Sequence, residues 1–221
     1  MIGAQLPLAV QLRDTASFET YFAGPNVDVV EALREARGSM LVFGAEGSGR
    51  THLLQACCRA HGGQYLPLSA VADYGTDALD GLAEPPLLSL DDVERVASDR
   101  DWALALLRLL DARRAMQRVT ILATDAPPDR LAIALPDLRT RLSALTVLGL
   151  RPLDDAQRAQ LLRTRASARG LELPDEVSRW LLTTQARGAA PLLDALDRLD
   201  RASLSAKRRL SLPFAQSVLA S

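Results

Sequence analysis

Gly44-Ala45-Glu46-Gly47-Ser48-Gly49-Arg50-Thr51 is the stretch that decides how this chain is read. The apolar run Met40-Leu41-Val42-Phe43 precedes it, and the helix-like run His52-Leu53-Leu54-Gln55-Ala56-Cys57-Cys58 follows. A strand, a glycine-rich turn and a helix, with glycines five apart and a threonine two residues later, make the layout of a P-loop. Backbone N–H groups of such a turn converge on phosphate oxygens, and the positive end of the next helix adds to the attraction. One position departs from the pattern. Arg50 stands where a P-loop has lysine, and a guanidinium is longer, planar and forked where an ammonium is a compact charge. The stretch points to nucleotide binding without assuring efficient hydrolysis.

The rest of the composition sets bounds. A chain of 221 residues, 48% hydrophobic and 24% charged, is globular and forms one large domain or a medium domain with a small appendage. No run approaches the roughly 20 apolar residues of a membrane span, and Met1-Ile2-Gly3-Ala4 lacks the basic start of a signal peptide, so a cytoplasmic protein with no membrane partner is expected. Adjacent Cys57 and Cys58 fall inside the predicted helix and are expected to be reduced core thiols. A net charge of −1 argues against a protein whose main task is gripping DNA phosphates. Of 26 basic residues only Lys207 is a lysine, so Arg50 does not by itself mark a dead site.

Gln5-Leu6-Pro7-Leu8-Ala9-Val10 alternates in character and carries a proline. It reads as a loose terminus or edge strand, or as an extended peptide whose Leu6, Leu8 and Val10 fill a partner's pockets while Gln5 sets the register. The segment 14–26 holds Phe18, Tyr21 and Phe22, aromatics that either pack on the P-loop strand or touch a nucleotide base. Val29–Arg37 is a short amphipathic helix. Gln64–Leu68 is a strand, and Leu87-Leu88-Ser89-Leu90-Asp91-Asp92 is an apolar strand closed by two carboxylates. In a P-loop fold the acid closing such a strand orients Mg²⁺, which makes Asp91 the candidate. A helix over Asp101–Met116, a buried strand Val119–Asp125, a short helix Leu135–Leu142 with Arg139 and Arg141, and a strand Leu145–Leu150 complete an α/β pattern. Such alternation indicates a parallel sheet with helices on both faces.

From Pro152 the pattern is helical: Asp154–Arg169, Pro174–Gln185 and Pro191–Leu204, with Asp154 and Asp175 as helix starts and 187–190 as a separating loop. Leu210–Phe214 reads as extended, before a last short helix. The run Lys207-Arg208-Arg209, with Arg198 and Arg201 nearby, is a solvated helix end or a DNA contact.

Phe22-Ala23-Gly24-Pro25-Asn26, Gly44–Leu54, Asp91-Asp92-Val93-Glu94, Leu135–Leu142 and Leu196–Ser203 resemble the DnaA/Hda family of AAA+ proteins, the regulatory branch more closely than the initiators. The resemblance spans essentially the whole chain and stops where an initiator adds its helix-turn-helix domain. It implies an AAA+ P-loop NTPase-like parallel sheet sandwiched by helices over 13–150, a small all-helical lid over 151–221, and a clamp-binding peptide over 1–12. In that light Gln5, Leu6, Leu8 and Val10 resemble the peptide that docks on the replicative sliding clamp, the β subunit of DNA polymerase III.

The resemblance further implies regulatory inactivation of DnaA. A clamp-bound regulator, touching DNA indirectly through the clamp, docks on ATP-loaded DnaA and completes the site that hydrolyses the initiator's ATP. The motif match makes Arg141 the arginine finger acting in trans, a group that contributes on the order of 10³–10⁵ in rate; Arg139 has no such counterpart and points elsewhere. The protein's own nucleotide, ADP, would lie on Gly44, Gly47, Ser48, Gly49, Arg50, Thr51 and His52, with Phe22 and Asn26 near the base and Asp91 and Thr124 near the phosphates. Thr51 and Asp91 would hold Mg²⁺ only together with nucleotide. The lid arginine that senses nucleotide in initiators aligns with Ala190, and Arg187 need not replace it, so ADP binding is expected to be weak or absent. Competing readings are a self-sufficient AAA+ ATPase, against which Arg50, Ala190 and the non-glutamate Asp92 count, and a DNA-loading accessory factor using the basic C-terminal region.

Overall fold

Met40–Phe43 forms a short apolar strand because a fully covered parallel sheet tolerates no polar face. Around it, in chain order, run α1 (Val27–Glu35), β1 (Met40–Phe43), α2 (Arg50–His61), β2 (Gln64–Pro67), β3 (Leu87–Asp91), α3 (Arg100–Ala115), β4 (Val119–Thr124), α4 (Pro136–Ser143) and β5 (Thr146–Gly149). The computed structural model describes residues 16–186 and 188–220. The expected peptide with Gln5, Leu6, Leu8 and Val10, and Arg187 of the lid, lie outside the described residues.

All strand pairs are parallel, in the order β2-β3-β4-β1-β5. β1 is hydrogen-bonded on both sides, Met40 opposite Ile121 of β4 and opposite Thr146 of β5. Leu41, Leu88, Leu90 and Leu122 face α3 and α4, where Leu106, Leu110, Leu138 and Leu142 close the core. Ser89 points the other way and donates to the Leu54 carbonyl of α2. Helices therefore cover both faces, and each fully buried leucine contributes roughly 1.5–3 kcal/mol.

Arg113 is wholly buried near the C-terminal end of α3. It donates to the carbonyls of Leu82, Ala83, Pro85 and Val119 and to the Thr120 hydroxyl, all neutral acceptors. It thereby ties the loop before β3 to the start of β4. Burial first, and then the charge of Arg118, lower its pKa to about 10, which still leaves it charged at neutral pH.

Two compact units divide the chain. The first holds residues 16–21, Val27–Gly44 and Arg50–Leu150; the second holds Phe22–Asn26, Ala45–Gly49 and residues 151–220. In the second, α5 (Asp155–Ala168), α6 (Asp175–Thr184), α7 (Ala189–Ala206) and α8 (Leu212–Leu219) pack Leu162, Val177, Leu181, Leu192, Leu196 and Leu199 into a core of their own. Asp154 caps α5 in a full capping box with Gln157, as its position in the sequence suggests.

Several local expectations change. α6 is preceded by Pro174 and has no side-chain cap; Asp175 is its first residue and acts only through the helix dipole. α7 begins at Ala189, two residues before Pro191, because a proline in the first turn forfeits no intrahelical bond. The same reason lets α8 take in Leu212–Phe214, read above as extended, with Pro213 in its first turn. Short 3₁₀ turns at Leu68–Ala70, Ala72–Tyr74 and Thr76–Leu79 fill the connection between β2 and β3. The Lys207 run is a helix end: Lys207 caps α7 in the left-handed conformation, and the Arg208 guanidinium lies 5.4 Å from the Phe214 ring. Among the described residues no helix is long and apolar enough to cross a membrane.

Cys57 and Cys58 are free and buried on α2. Burial, and then the neighbouring Cys58, push the Cys57 thiol up to about 12; burial pushes Cys58 up to about 11. Only the thiolate reacts, so both should resist iodoacetamide in the folded protein at about pH 7.5. Mass spectrometry should find them modified only after denaturation.

Candidate functional site

The register brings the expected phosphate-side residues to one edge of the sheet. Gly44 follows β1 and donates its N–H to the Thr124 carbonyl at the end of β4. Asp91 ends β3, opposite Pro67 of β2. Gly44, Asp91 and Thr124 are all buried. Thr51 is exposed in the first turn of α2.

Several polar groups here are paired within the fold. Arg50 pairs with Glu94 at 3.4 Å, with side chains only 12% and 16% exposed. Burial raises the Glu94 pKa against the lowering pull of Arg50, and the other carboxylate oxygen of Glu94 is buried without a hydrogen-bond partner. The Asp91 carboxylate accepts from the Tyr65 hydroxyl at 2.9 Å and from the Asp92 N–H at 3.0 Å. Burial, and then the Asp91 charge, push the Tyr65 phenol well above its ordinary range, so it stays a donor. Asp92 sits in the left-handed region at φ 56 and accepts from Ser69. Thr124 spends its hydroxyl proton on the Ala126 carbonyl. His52 donates from Nε2 to the Ser17 carbonyl at 2.8 Å and lies 5.5 Å, centroid to centroid, from the Tyr21 ring. The residues that would receive a Mg²⁺-triphosphate thus fit it poorly as they stand, because the P-loop cation is held by a carboxylate and the strand-end acid by two donors.

In the second unit Gly47 and Gly49 take φ 76 and 93, values that glycine reaches without strain and that the turn requires. Ser48 donates its N–H to Ala45. The first turn of α7 rests on this segment: the Ala189 N–H donates to the Gly47 carbonyl at 3.2 Å, and a Cβ on Gly188 would meet the Gly47 Cα at 3.2 Å. Ala190, the aligned sensor position, is exposed and brings no charge. Asn26 is buried and its amide is spent on Arg151, accepting from that N–H at 2.7 Å and donating to that carbonyl at 3.0 Å. Asn26 therefore fixes the chain at Arg151. Phe22 lies against Gly24, where a Cβ would come within 3.3 Å of its ring.

Arg141 belongs elsewhere, on the last turn of α4, where a cation suits the helix dipole. Its side chain, 28% exposed, pairs with Asp111 of α3 at 2.5 Å, while its Nε is buried without a partner. Arg139, two positions earlier and so on the opposite side of the helix, donates to the carbonyls of Pro128 and Leu131 and anchors that loop. Neither Glu94 nor Asp111 stands out in the sequence as a site residue; the signal for Glu94 is its place in the Asp91–Glu94 stretch that carries the family resemblance.

Comparisons with known proteins agree with this architecture. The chain resembles domain III of the Thermotoga maritima replication initiation protein DnaA at TM-score 0.80 and 20% identity, over 95% of this chain and 98% of that one. It resembles a DnaA bound to AMPPCP and single-stranded DNA at TM-score 0.69 and 21% identity, over 84% of this chain and 65% of that one. Residues 155–219 match the family model of the Hda lid domain. The chain thus shares the fold of DnaA domain III, and its residues 155–219 are similar to the Hda lid domain. Thermotoga maritima RuvB shares the fold more distantly, at TM-score 0.68 and 15% identity over 93% of this chain and 71% of that one.

Two variants probe the phosphate side. Glu94→Gln releases Arg50 and should tighten ADP binding by about tenfold in calorimetry, since a charged hydrogen bond is worth roughly 1.5–3 kcal/mol. A raised carboxylate pKa means stability present at low pH and lost as Glu94 ionises, so thermal melts should show the wild type falling behind Glu94→Gln as pH rises above the ordinary carboxylate pKa of about 4. Gly188→Ala, forced into φ 144 and against Gly47, should cost about 1–3 kcal/mol in chemical denaturation.

Proposed function

We propose that this protein is a clamp-dependent regulator that stimulates hydrolysis of ATP bound to DnaA and so represses re-initiation of replication. The observation that carries the reading is the contrast between two arginines. Arg50, the P-loop cation, is shut in with Glu94, whereas Arg141 sits at the surface end of α4 with one half-exposed carboxylate as its partner. The likeness of residues 155–219 to the Hda lid supports assigning the regulatory rather than the initiator role.

In this reading Arg141 leaves Asp111 and places its guanidinium on the terminal phosphate of ATP held by DnaA, where it stabilises charge that grows in the transition state. Gln5, Leu6, Leu8 and Val10 hook the protein to the sliding clamp, which carries it on DNA in the cytoplasm. Its own P-loop binds ADP weakly or not at all, Mg²⁺ accompanies only bound nucleotide, and the fold alone presents Arg141.

Deleting residues 1–10 should abolish clamp binding in a pull-down. Arg141→Ala should keep clamp binding and reduce stimulation of DnaA ATP hydrolysis by at least about a hundredfold. Normal stimulation by Arg141→Ala would show the finger assignment to be wrong. Turnover of ATP by the purified protein, abolished by Asp91→Asn, would favour the self-sufficient ATPase.

A further inference from the structure

At the amino-terminal ends of β1, β4 and β5 the first unit contains a cavity of about 360 Å³ whose lining includes Arg37, Arg114, Arg118 and Arg141, with Ser39 and Thr120 between them. Parallel pairing assembles it. Met40 stands opposite both Ile121 and Thr146, so the residues just before the three strands converge, and the C-terminal end of α3 delivers Arg114 to the same place.

The charge there is poorly compensated. Arg37 pairs with Glu35 and Arg141 with Asp111, but these carboxylates are 57% and 49% exposed, and such pairs are worth little. Among the described residues Arg114 and Arg118 have no carboxylate partner, and the Nε atoms of Arg118 and Arg141 are buried without a hydrogen-bond partner. Two buried, unmatched guanidinium donors on residues that line a cavity of ligand size are costly unless an acceptor reaches them. Arginine forks match tetrahedral oxyanions in pairs, so clustered phosphate oxygens are the fitting acceptor.

We infer that Arg114 and Arg118, with Arg37 at the rim, form with Arg141 a receptor for the polyphosphate tail of a nucleoside triphosphate presented by the partner protein. The inference rests on the reading of Arg141 as the residue that acts in trans, and it adds three further arginines to that contact. Asp111 is the intramolecular stand-in for the incoming anion and leaves when the phosphate arrives.

The test is an arginine footprint of the full chain with phenylglyoxal, using inorganic triphosphate as the probe. Alongside it, stimulation of DnaA ATP hydrolysis is measured for Arg114→Gln, Arg118→Gln and Arg141→Ala. Protection of Arg114 and Arg118 by triphosphate, strengthened in Asp111→Asn, is expected, with stimulation falling about tenfold or more in either glutamine variant. The wild-type footprint needs no variant and therefore does not depend on any variant's folding. Protection confined to Arg50 would place the anion on the P-loop and overturn the inference. Protection by a duplex oligonucleotide but not by triphosphate would overturn it in favour of nucleic acid. If Arg141→Ala loses stimulation while both glutamine variants keep it, the added arginines are excluded and the finger stands. If Arg141→Ala stimulates normally but Arg114 and Arg118 remain protected, the anion site stands and its place in DnaA inactivation falls.

Discussion

Much of the first unit depends on β1 being hydrogen-bonded on both sides. Its four apolar residues pair with β4 and β5 in the same register, so both ends of the strand are fixed. At the carboxyl end Gly44 is bonded to Thr124, and Leu150 donates to Phe43 as the chain leaves β5. At the amino end Arg37, Gly38 and Ser39 are brought beside Arg118 and Thr120. One four-residue strand thus positions the start of a phosphate loop and one wall of an arginine-lined cavity.

The two ends differ in how their charge is handled. At the carboxyl end the main charged groups have internal partners: Arg50 has Glu94, Asp91 has Tyr65, and Asp92 has Ser69. Burial makes the first two pairs hard to open, because releasing one member leaves the other desolvated. At the amino end the arginines outnumber their partners, and those partners are half-exposed. The P-loop cation is therefore engaged within the fold, while the cationic face lies at the opposite end of the sheet.

Arg113 shows what maintaining that cationic corner costs. With five neutral acceptors and no carboxylate it remains charged although fully buried, and its neighbour Arg118 adds repulsion. The bonds to Leu82, Ala83 and Pro85 organise a connection that has no strand pattern of its own. They hold the C-terminal end of α3 against β4, which keeps Arg114 and Arg118 at the cavity.

The sequence by itself determined the architecture. The run from Met40 to Thr51, the apolar strands closing at Asp91 and Thr124, and the helical periodicity after Pro152 are local patterns, and local patterns survive in one dimension. It also singled out Arg141, by motif, and separated it from Arg139, since two residues on a helix point to opposite sides. Tertiary structure alone decided how the polar groups are used. Glu94 reaching Arg50, Asp111 holding Arg141, Asn26 spent on Arg151, and four arginines from three separate segments meeting in one cavity all join residues distant in sequence. Periodicity carries no record of such pairings, because they depend on strand register and on which side chains burial leaves in need of a partner.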